Sequence, residues 1–219
     1  MCMRLQSLYF MNALKLEIAA RAAQMIADSG LDYGSAKRRA AVDVWGTNSL
    51  PKDSLPNNED VDAALLEHFE LFDERHPARV QSLRDVALEL MDKLSDFQIY
   101  LTGPAWKGIC AEQAYVHLQA FHDNPKEVEY ALLNLNIAYQ AETAPHWRGD
   151  KDIEALALLY QKDREKIPVL ISLYDLDDLR GALKVKIRIG DETIAARGNR
   201  DALTARIKAA SKSIEGGTP

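Results

Sequence analysis

The residues best suited to chemistry lie in one stretch of the chain, between Phe97 and Phe121. An apolar run predicts a strand over Phe97–Thr102, and a turn with glycines at Gly103 and Gly108 follows it. The turn contains one basic residue, Lys107, and a second predicted strand covers Tyr115–Phe121. A glycine turn with a basic residue has the composition of a phosphate-binding loop, so we expect any ligand to be held here.

The second of these strands alternates between two kinds of side chain. Period-two alternation predicts that Tyr115, His117, Gln119 and Phe121 share one face, with Val116, Leu118 and Ala120 on the other. His117 is the candidate catalytic residue, because an imidazole can act as a general base or as a metal ligand near neutral pH. The alternative interpretation of a lone histidine on a strand is a structural residue.

The spacing of Gly103 and Gly108 invites comparison with the P-loop. That motif requires Lys and then Ser or Thr directly after its second glycine, for the phosphates and the magnesium ion. This chain has Ile109 and Cys110 at those positions. The sequence therefore gives little support to an ATP-dependent ligase of the P-loop type.

A second comparison fits the same stretch better. Gly103 and Pro104, then Lys107 and Gly108, precede a strand that starts at Tyr115. This order resembles the DNA polymerase beta-like nucleotidyltransferase superfamily, in which Gly-Ser, a short turn and an Asp-x-Asp strand follow one another. The resemblance implies that the turn and Tyr115 bind a nucleoside triphosphate together with Mg²⁺.

The chain departs from that pattern where the metal ligands should be. Tyr115 and His117 occupy the positions of the Asp-x-Asp pair, and Glu154 on a later strand is the candidate third carboxylate. Mg²⁺ prefers oxygen ligands in octahedral geometry, and one acid cannot hold two such ions. We therefore expect no standard two-metal site. Any remaining transfer chemistry would depend on His117 and Glu154, or on Asp150, Asp152 or Glu112 supplying a carboxylate from a loop.

The segment Gly30–Ala41 carries a further resemblance. Its sequence, GLDYGSAKRRAA, is similar to a group of small proteobacterial proteins. Some of these are labelled nucleotidyltransferase-like and others UDP-N-acetylmuramate-alanine ligase, a label at odds with the missing P-loop. The likeness implies a bacterial protein.

The fold predicted for the chain is α+β, with an N-terminal helical segment followed by a mixed β-sheet flanked by helices. Helical spacing predicts a first helix over Asn12–Ser29, and Met11 is an alternative start to Met1. Further strands are predicted over Ile137–Glu142, Ile153–Tyr160 and Val169–Tyr174, then a hairpin of Lys184–Ile189 with Glu192–Ala196. The predicted parts are a leader (1–11), a helical region (12–95), a nucleotidyltransferase-like core (96–182), a C-terminal hairpin and helix (183–213) and a tail (214–219).

Composition limits the class of protein. The chain has 219 residues, 47% of them hydrophobic, and a net charge of −6. A general nucleic-acid coat protein is excluded, because such affinity comes from an excess of Lys and Arg. The sequence contains no apolar run of the roughly 18 to 20 residues that a membrane span needs, and its two distant cysteines predict neither a disulfide framework nor a zinc site. We expect a cytoplasmic protein that does not enter membranes.

One basic cluster stands out in the N-terminal half. Lys37, Arg38 and Arg39 are consecutive in a predicted helix and are candidates for contact with a nucleotide or RNA, together with the Gly103 turn. The alternative for this cluster is an ordinary solvated helix face.

Three functional hypotheses follow from these residues. The first is a pseudoenzyme that keeps the nucleotidyltransferase-like fold as a nucleotide-, RNA- or protein-binding module. The second is an active nucleotidyltransferase with non-standard metal ligands. The third is a non-enzymatic interaction protein, in which the acidic region before residue 96 or the basic C-terminal segment meets a protein partner.

Overall fold

The computed structural model describes residues 2–46, 54–190 and 192–215. The chain divides into two compact units. The first consists of Met1–Pro77, Ala111–Gln113 and Arg188–Thr193, and the second of Ala78–Cys110, Ala114–Ile187 and Ile194–Pro219. Met1 of the predicted leader, and the predicted tail from residue 216 onward, lie outside the described residues.

The first unit contains three long helices, α1 (Cys2–Ser29), α2 (Tyr33–Trp45) and α3 (Asn58–Phe72). Residues such as Ile18 and Leu65 are fully buried in its core. The prediction that the first helix starts at Asn12 was wrong, because α1 runs back through the predicted leader to Cys2.

Most elements belong to the second unit. Helix α4 (His76–Lys93) begins in the first unit and continues into the second. The elements that follow are β1 (Gln98–Thr102), α5 (Gly103–Lys107), β2 (Val116–Phe121), α6 (Lys126–Asn134), β3 (Gln140–Pro145), β4 (Asp152–Lys162), β5 (Glu165–Tyr174), α7 (Leu176–Ala182), β6 (Lys186–Ile189), β7 (Glu192–Ala195), β8 (Arg197–Gly198) and α8 (Arg200–Glu215).

Six of the strands form one mixed sheet in the order β3-β4-β5-β2-β1-β8. Strands β2 and β5 are parallel, and the other neighbouring pairs are antiparallel. The remaining two strands, β6 and β7, form the predicted terminal hairpin. The predicted α+β class, a mixed sheet flanked by helices, is thus confirmed.

The two faces of this sheet differ in character. On the helix-covered face, Leu118, Leu156 and Ile171 are buried in one apolar core with Leu90 of α4 and Leu132 of α6. The opposite face, called here the polar face, carries the other alternating set. The β1–β2–β5 register places four of its side chains in two rows that cross the sheet: Thr102 beside His117, and Gln119 beside Ser172.

Two predicted strands begin three or four residues away from the predicted position. Strand β3 begins at Gln140 rather than at Ile137, because Asn136 takes a left-handed conformation and the amide of Ile137 bonds back to Leu132 at the end of α6. Strand β5 begins at Glu165 rather than at Val169, since it pairs with β4 from Lys162 onward. Pro168 lies inside it.

Candidate functional site on the polar face

The glycine turn contacts the candidate histidine directly. Gly103 has φ 70°, and a Cβ added there would lie 3.6 Å from the Cβ of His117. Gly108 ends α5 in a left-handed conformation, with its amide donating to the carbonyl of Pro104. The guanidinium of Arg84 lies beneath the turn and donates to the carbonyl of Ala105 at 2.9 Å. The turn is therefore fixed in place.

The other predicted ligand-binding residues surround this point. Pro104 and Lys107 belong to the five-residue helix α5 between the two glycines. Tyr115 lies just before β2, is 38% exposed, and its ring centroid is 6.1 Å from that of His117. The structure thus brings the turn residues, Tyr115 and His117 into one place.

His117 is held by a neighbouring strand. Its Nε2 is 2.9 Å from the hydroxyl oxygen of Ser172 on β5. Burial, together with the smaller effect of the positive charge of Arg197, lowers the pKa of His117 to about 4. The imidazole is therefore neutral at physiological pH.

Glu154 is not brought to this site. Its strand neighbour Ala155 pairs with Ser172 and shares the polar face, so Glu154 projects from the helix-covered side. There its carboxylate accepts from the ammonium of Lys126 at 3.1 Å, and Lys126 also binds Glu129 at 2.6 Å. The two predicted catalytic residues lie on opposite faces of the sheet.

A buried polar layer lies next to His117 on the polar face. Arg197, supplied by the two-residue strand β8, is only 5% exposed and donates from Nη1 to the side-chain oxygen of Gln119 at 2.6 Å. The amide of Gln119 in turn donates to the hydroxyl of Tyr174 at 3.3 Å.

The loop of residues 146–151 covers this layer. Its Trp147 ring centroid lies 5.6 Å from the guanidinium of Arg197 and 4.6 Å from that of Arg148. The loop is fastened to α7 by the buried Asp178, whose two oxygens bind His146 at 3.2 Å and Arg148 at 3.1 Å. Among residues 2–46, 54–190 and 192–215, neither the buried indole N–H of Trp147 nor the buried Nε–H of Arg197 has a hydrogen-bond partner.

The polar face does not fit a pair of magnesium ions. The central strands β1, β2 and β5 present no aspartate or glutamate on this face, and His117, Gln119 and Ser172 occupy its middle. Residues 2–46, 54–190 and 192–215 contain no cluster of three or more His, Cys, Asp or Glu side chains suited to a metal. Without carboxylate oxygens the site lacks the ligands that Mg²⁺ requires.

An open pocket of about 750 Å³ begins at Tyr115, whose ring lies beside that of His117, although His117 itself does not line the pocket. Tyr115 forms one side, and Leu170, the register partner of His117, forms part of the floor. The lining is largely apolar, with Lys166 as its cationic member. The pocket falls within the volume range of small-molecule sites. Its other lining residues are Ala138, Tyr139, Gln140, Ala157, Leu158, Leu159, Pro168 and Val169.

The predicted basic cluster lies in the first unit, whereas the pocket lies in the second. On α2, Lys37 donates to the side chain of Asn58 at 2.8 Å, and Arg38 donates to the Ser35 hydroxyl at 3.3 Å. Arg38 and Arg39 are exposed.

Sequence reasoning missed the buried charge at this site. Arg197 belongs to a strand of two residues, too short to show any periodicity. Ser172 is hidden in an apolar run, and Trp147 in a loop. Of these residues, only Gln119 could be assigned to the site from the sequence, because the alternation of β2 places its side chain on the same face as His117.

Comparison with known proteins gives a likeness in structure alone. No family model matches the chain, and no curated protein matches it. Among solved structures, the Cid1 poly(U) polymerase aligns over 53% of this chain and 38% of its own, with TM-score 0.32 and 11% identity. A cytoplasmic RNA terminal U-transferase aligns over 51% and 34%, with TM-score 0.31 and 13% identity. The GLD-2/RNP-8 complex aligns over 54% and 48%, with TM-score 0.33 and 10% identity.

Cid1 and GLD-2 are nucleotidyltransferases of the DNA polymerase beta-like superfamily that the sequence resembles. The chain spans less than half the length of each of these proteins. A likeness of this strength carries no argument about what the chain binds, and the ligase label has no support. No helix within the described parts of the chain is long and apolar enough to cross a membrane.

Proposed function

We propose that the second unit binds a nucleotide on the polar face and has lost two-metal nucleotidyl transfer. The observation that supports this proposal is that the polar face carries a buried cation and neutral polar groups where a two-metal site would need acids. The central strands offer hydrogen-bonding groups in place of acids, and the cationic Arg197 lies beside them. Such a surface suits an anionic ligand and repels a cation.

The 750 Å³ pocket provides room for the base and sugar. Tyr115 and Tyr139 supply aromatic surface at its wall, and a nucleobase can stack on such rings. The phosphate end would then lie toward His117 and the turn, where Gly103, Lys107 and Gly108 remain the proposed phosphate-binding residues along with Pro104.

The same geometry argues against the active form of the protein. The lowered pKa of His117, about 4, makes it a weak base, and its Nε2 is bonded to Ser172, while Glu154 is engaged by Lys126 on the other face of the sheet. A general base and a carboxylate must reach one substrate to act together. We therefore propose binding without transfer, in the cytoplasm where nucleotides are abundant.

The first test is ligand binding. ATP, CTP, GTP and UTP at millimolar concentration should each be titrated into the protein and followed by melting temperature and calorimetry, with Mg²⁺ and with EDTA. At least one is expected to raise the melting temperature, since a ligand that binds only the folded state stabilises it. If all four leave the melt and the heat signal unchanged, nucleotide binding is refuted.

A pair of variants locates the site. Tyr115→Ala removes an exposed ring from the pocket wall. It should lower the affinity for the nucleotide about tenfold, which is the typical contribution of one base stacked on an aromatic ring. Tyr130→Ala removes another exposed ring, 61% accessible on α6, which does not line the pocket and should leave affinity unchanged. Equal affinities for the two variants would place the nucleotide elsewhere.

Transfer is tested separately with labelled nucleotide and RNA or protein acceptors. We expect no incorporation of label with Mg²⁺ or Mn²⁺. Incorporation that His117→Ala abolishes would show that the protein is an active transferase.

A further inference from the structure

Arg197 carries an unusual charge in the second unit. The residue is only 5% exposed, yet no carboxylate in the described parts of the chain lies within ion-pair distance of it. Its hydrogen bond goes to the neutral amide of Gln119, and its Nε–H is left without a partner. The nearby acids are engaged elsewhere, since Asp178 of α7 binds His146 and Arg148, and Asp150 of the loop binds His146.

Such an arrangement is unfavourable for an empty protein. A buried charge without a counter-ion costs several kcal/mol in folding free energy, and arginine stays charged because its pKa is so high. Burial lowers the pKa of Arg197, and only the nearby Tyr174 acts in the opposite direction. A buried cation that the protein itself does not neutralise is suited to neutralisation by a ligand.

The position of Arg197 relates it to the nucleotide site. Its register partner Thr102 pairs in turn with His117, so the three residues form one row across the polar face. The positive charge of Arg197 is felt at His117, where it lowers the imidazole pKa. An anion bound beside His117 would be attracted by the same charge through an interior of low dielectric constant.

A second unused donor lies in the same layer. The indole N–H of Trp147 is buried without a partner, and the guanidinium of Arg197 is 5.6 Å from the centroid of that ring. Two unpartnered donors, one of them on a buried cation, are what an anion site offers before its ligand arrives.

We propose that Arg197 is the fixed counter-charge for the phosphate groups of the bound nucleotide, so that this chain binds a nucleoside polyphosphate without any divalent cation. The inference rests on the proposed nucleotide-binding function and specifies how its ligand is held. A guanidinium built into the sheet takes over the charge neutralisation that metal ions would otherwise provide.

The test compares Arg197→Gln with Arg180→Gln, a matched change at an exposed arginine of α7. ATP is titrated into the wild type and both variants by calorimetry, in EDTA and again in Mg²⁺. We expect wild type and Arg180→Gln to bind in EDTA at least as tightly as in Mg²⁺. Arg197→Gln should bind ATP at least about tenfold more weakly than the wild type, because a hydrogen bond to a charged group is lost. Arg197→Lys, which keeps the charge without the planar fork, should recover part of the affinity.

A second readout shows that the variant is folded. Without ligand, Arg197→Gln should melt at or above the wild-type temperature, since it removes an uncompensated buried charge, whereas Arg180→Gln should melt at the wild-type temperature. Inorganic tripolyphosphate in EDTA should then raise the melting temperature of wild type and Arg180→Gln but not of Arg197→Gln. A merely structural arginine would give the opposite result, a lower melting temperature for Arg197→Gln with the response to tripolyphosphate retained.

The outcomes separate the two proposals. ATP binding that requires Mg²⁺, or equal affinities for the two glutamine variants, overturns the role of Arg197 and leaves nucleotide binding intact. Stabilisation of the wild type by tripolyphosphate, but by none of the four nucleotides, refutes nucleotide binding while supporting the anion site at Arg197.

Discussion

At the scale of single residues, the protonation of His117 gives a measurable signature. The folded-state pKa is about 4, against 6.5 for an unperturbed imidazole. Between those values the unfolded chain binds a proton at His117 and the folded chain does not, so the free energy of unfolding falls as the pH drops through this window. Above pH 6.5 the residue has no such effect.

The expected loss is up to about 3 kcal/mol between pH 6.5 and 4, since one pKa unit corresponds to about 1.4 kcal/mol. Urea unfolding of wild type and His117→Gln across this range isolates it, because the carboxylates titrate in both proteins. Wild type should lose stability more steeply than the variant. Parallel curves would mean that His117 protonates as easily in the folded protein as in water.

Glu154 provides the second prediction at this scale. Its pair with Lys126 is exposed, with 38% and 55% of the two side chains accessible, and exposed pairs contribute about 0–1 kcal/mol. Glu154→Gln should therefore change the free energy of unfolding by less than about 1 kcal/mol and leave ATP affinity unchanged. A large loss of affinity, measured by calorimetry beside wild type, would mean that Glu154 acts at the ligand site after all.

The residues of the turn and of β2 were predictable because local signals mark them. Glycines fix the turn, and period-two alternation assigns Tyr115, His117 and Gln119 to one face. The partners of those residues come from distant segments. Neither Ser172 beside His117 nor Arg197 beside Gln119 has a local pattern that identifies its neighbour.

At the scale of elements, the two-residue strand β8 is packed so closely that it leaves no room for a side chain at Gly198. A Cβ at Gly198 in β8 would lie 2.2 Å from two ring atoms of Trp106. That ring cannot easily move, because its indole N–H donates to the carbonyl of Ala195 at 2.8 Å and Arg206 lies 5.0 Å from the ring centroid. Only glycine allows β8 to lie against α5.

Gly198→Ala should consequently lower the free energy of unfolding by about 1–3 kcal/mol, the usual cost of overpacking. Gly34→Ala in the first turn of α2 is the control, since its Cβ would meet no ring or backbone atom, only the carboxylate of Asp32, which caps α2, at 3.2 Å and the end of the Arg38 side chain at 3.3 Å. Urea unfolding should show a change within about 0.5 kcal/mol for the control. A Gly198→Ala protein as stable as wild type would contradict the packing described for Trp106.

The strands were predicted where hydrophobic runs are long and missed where they are not. Pro168 interrupts the apolar run of β5, so the predicted strand begins at Val169. In the structure the strand begins at Glu165. A proline within a strand lacks one donor, yet the hairpin with β4 holds the backbone on either side. Strand β8 exists only through its pairing with β1, a tertiary contact that local sequence does not encode.

At the scale of the whole molecule, the distribution of acids gives the last prediction. The chain carries a net charge of −6, but the described residues bring no three metal-binding side chains together. Millimolar Mg²⁺ or Mn²⁺ without nucleotide should therefore leave the melting temperature unchanged, because an ion that does not bind the folded state cannot stabilise it. A rise that EDTA reverses would reveal a metal site and contradict this prediction.

The contact between Arg197 and Gln119 also affects how the protein folds during its synthesis. It joins residues 78 positions apart, and the ion pair of Arg200 with Asp92 joins residues 108 apart. Contacts so distant in sequence form slowly, and a growing chain folds from its N-terminal side first. During synthesis, β1 and β2 therefore leave the ribosome well before the guanidinium that completes their polar layer, so the proposed phosphate site cannot form until residue 197 has emerged.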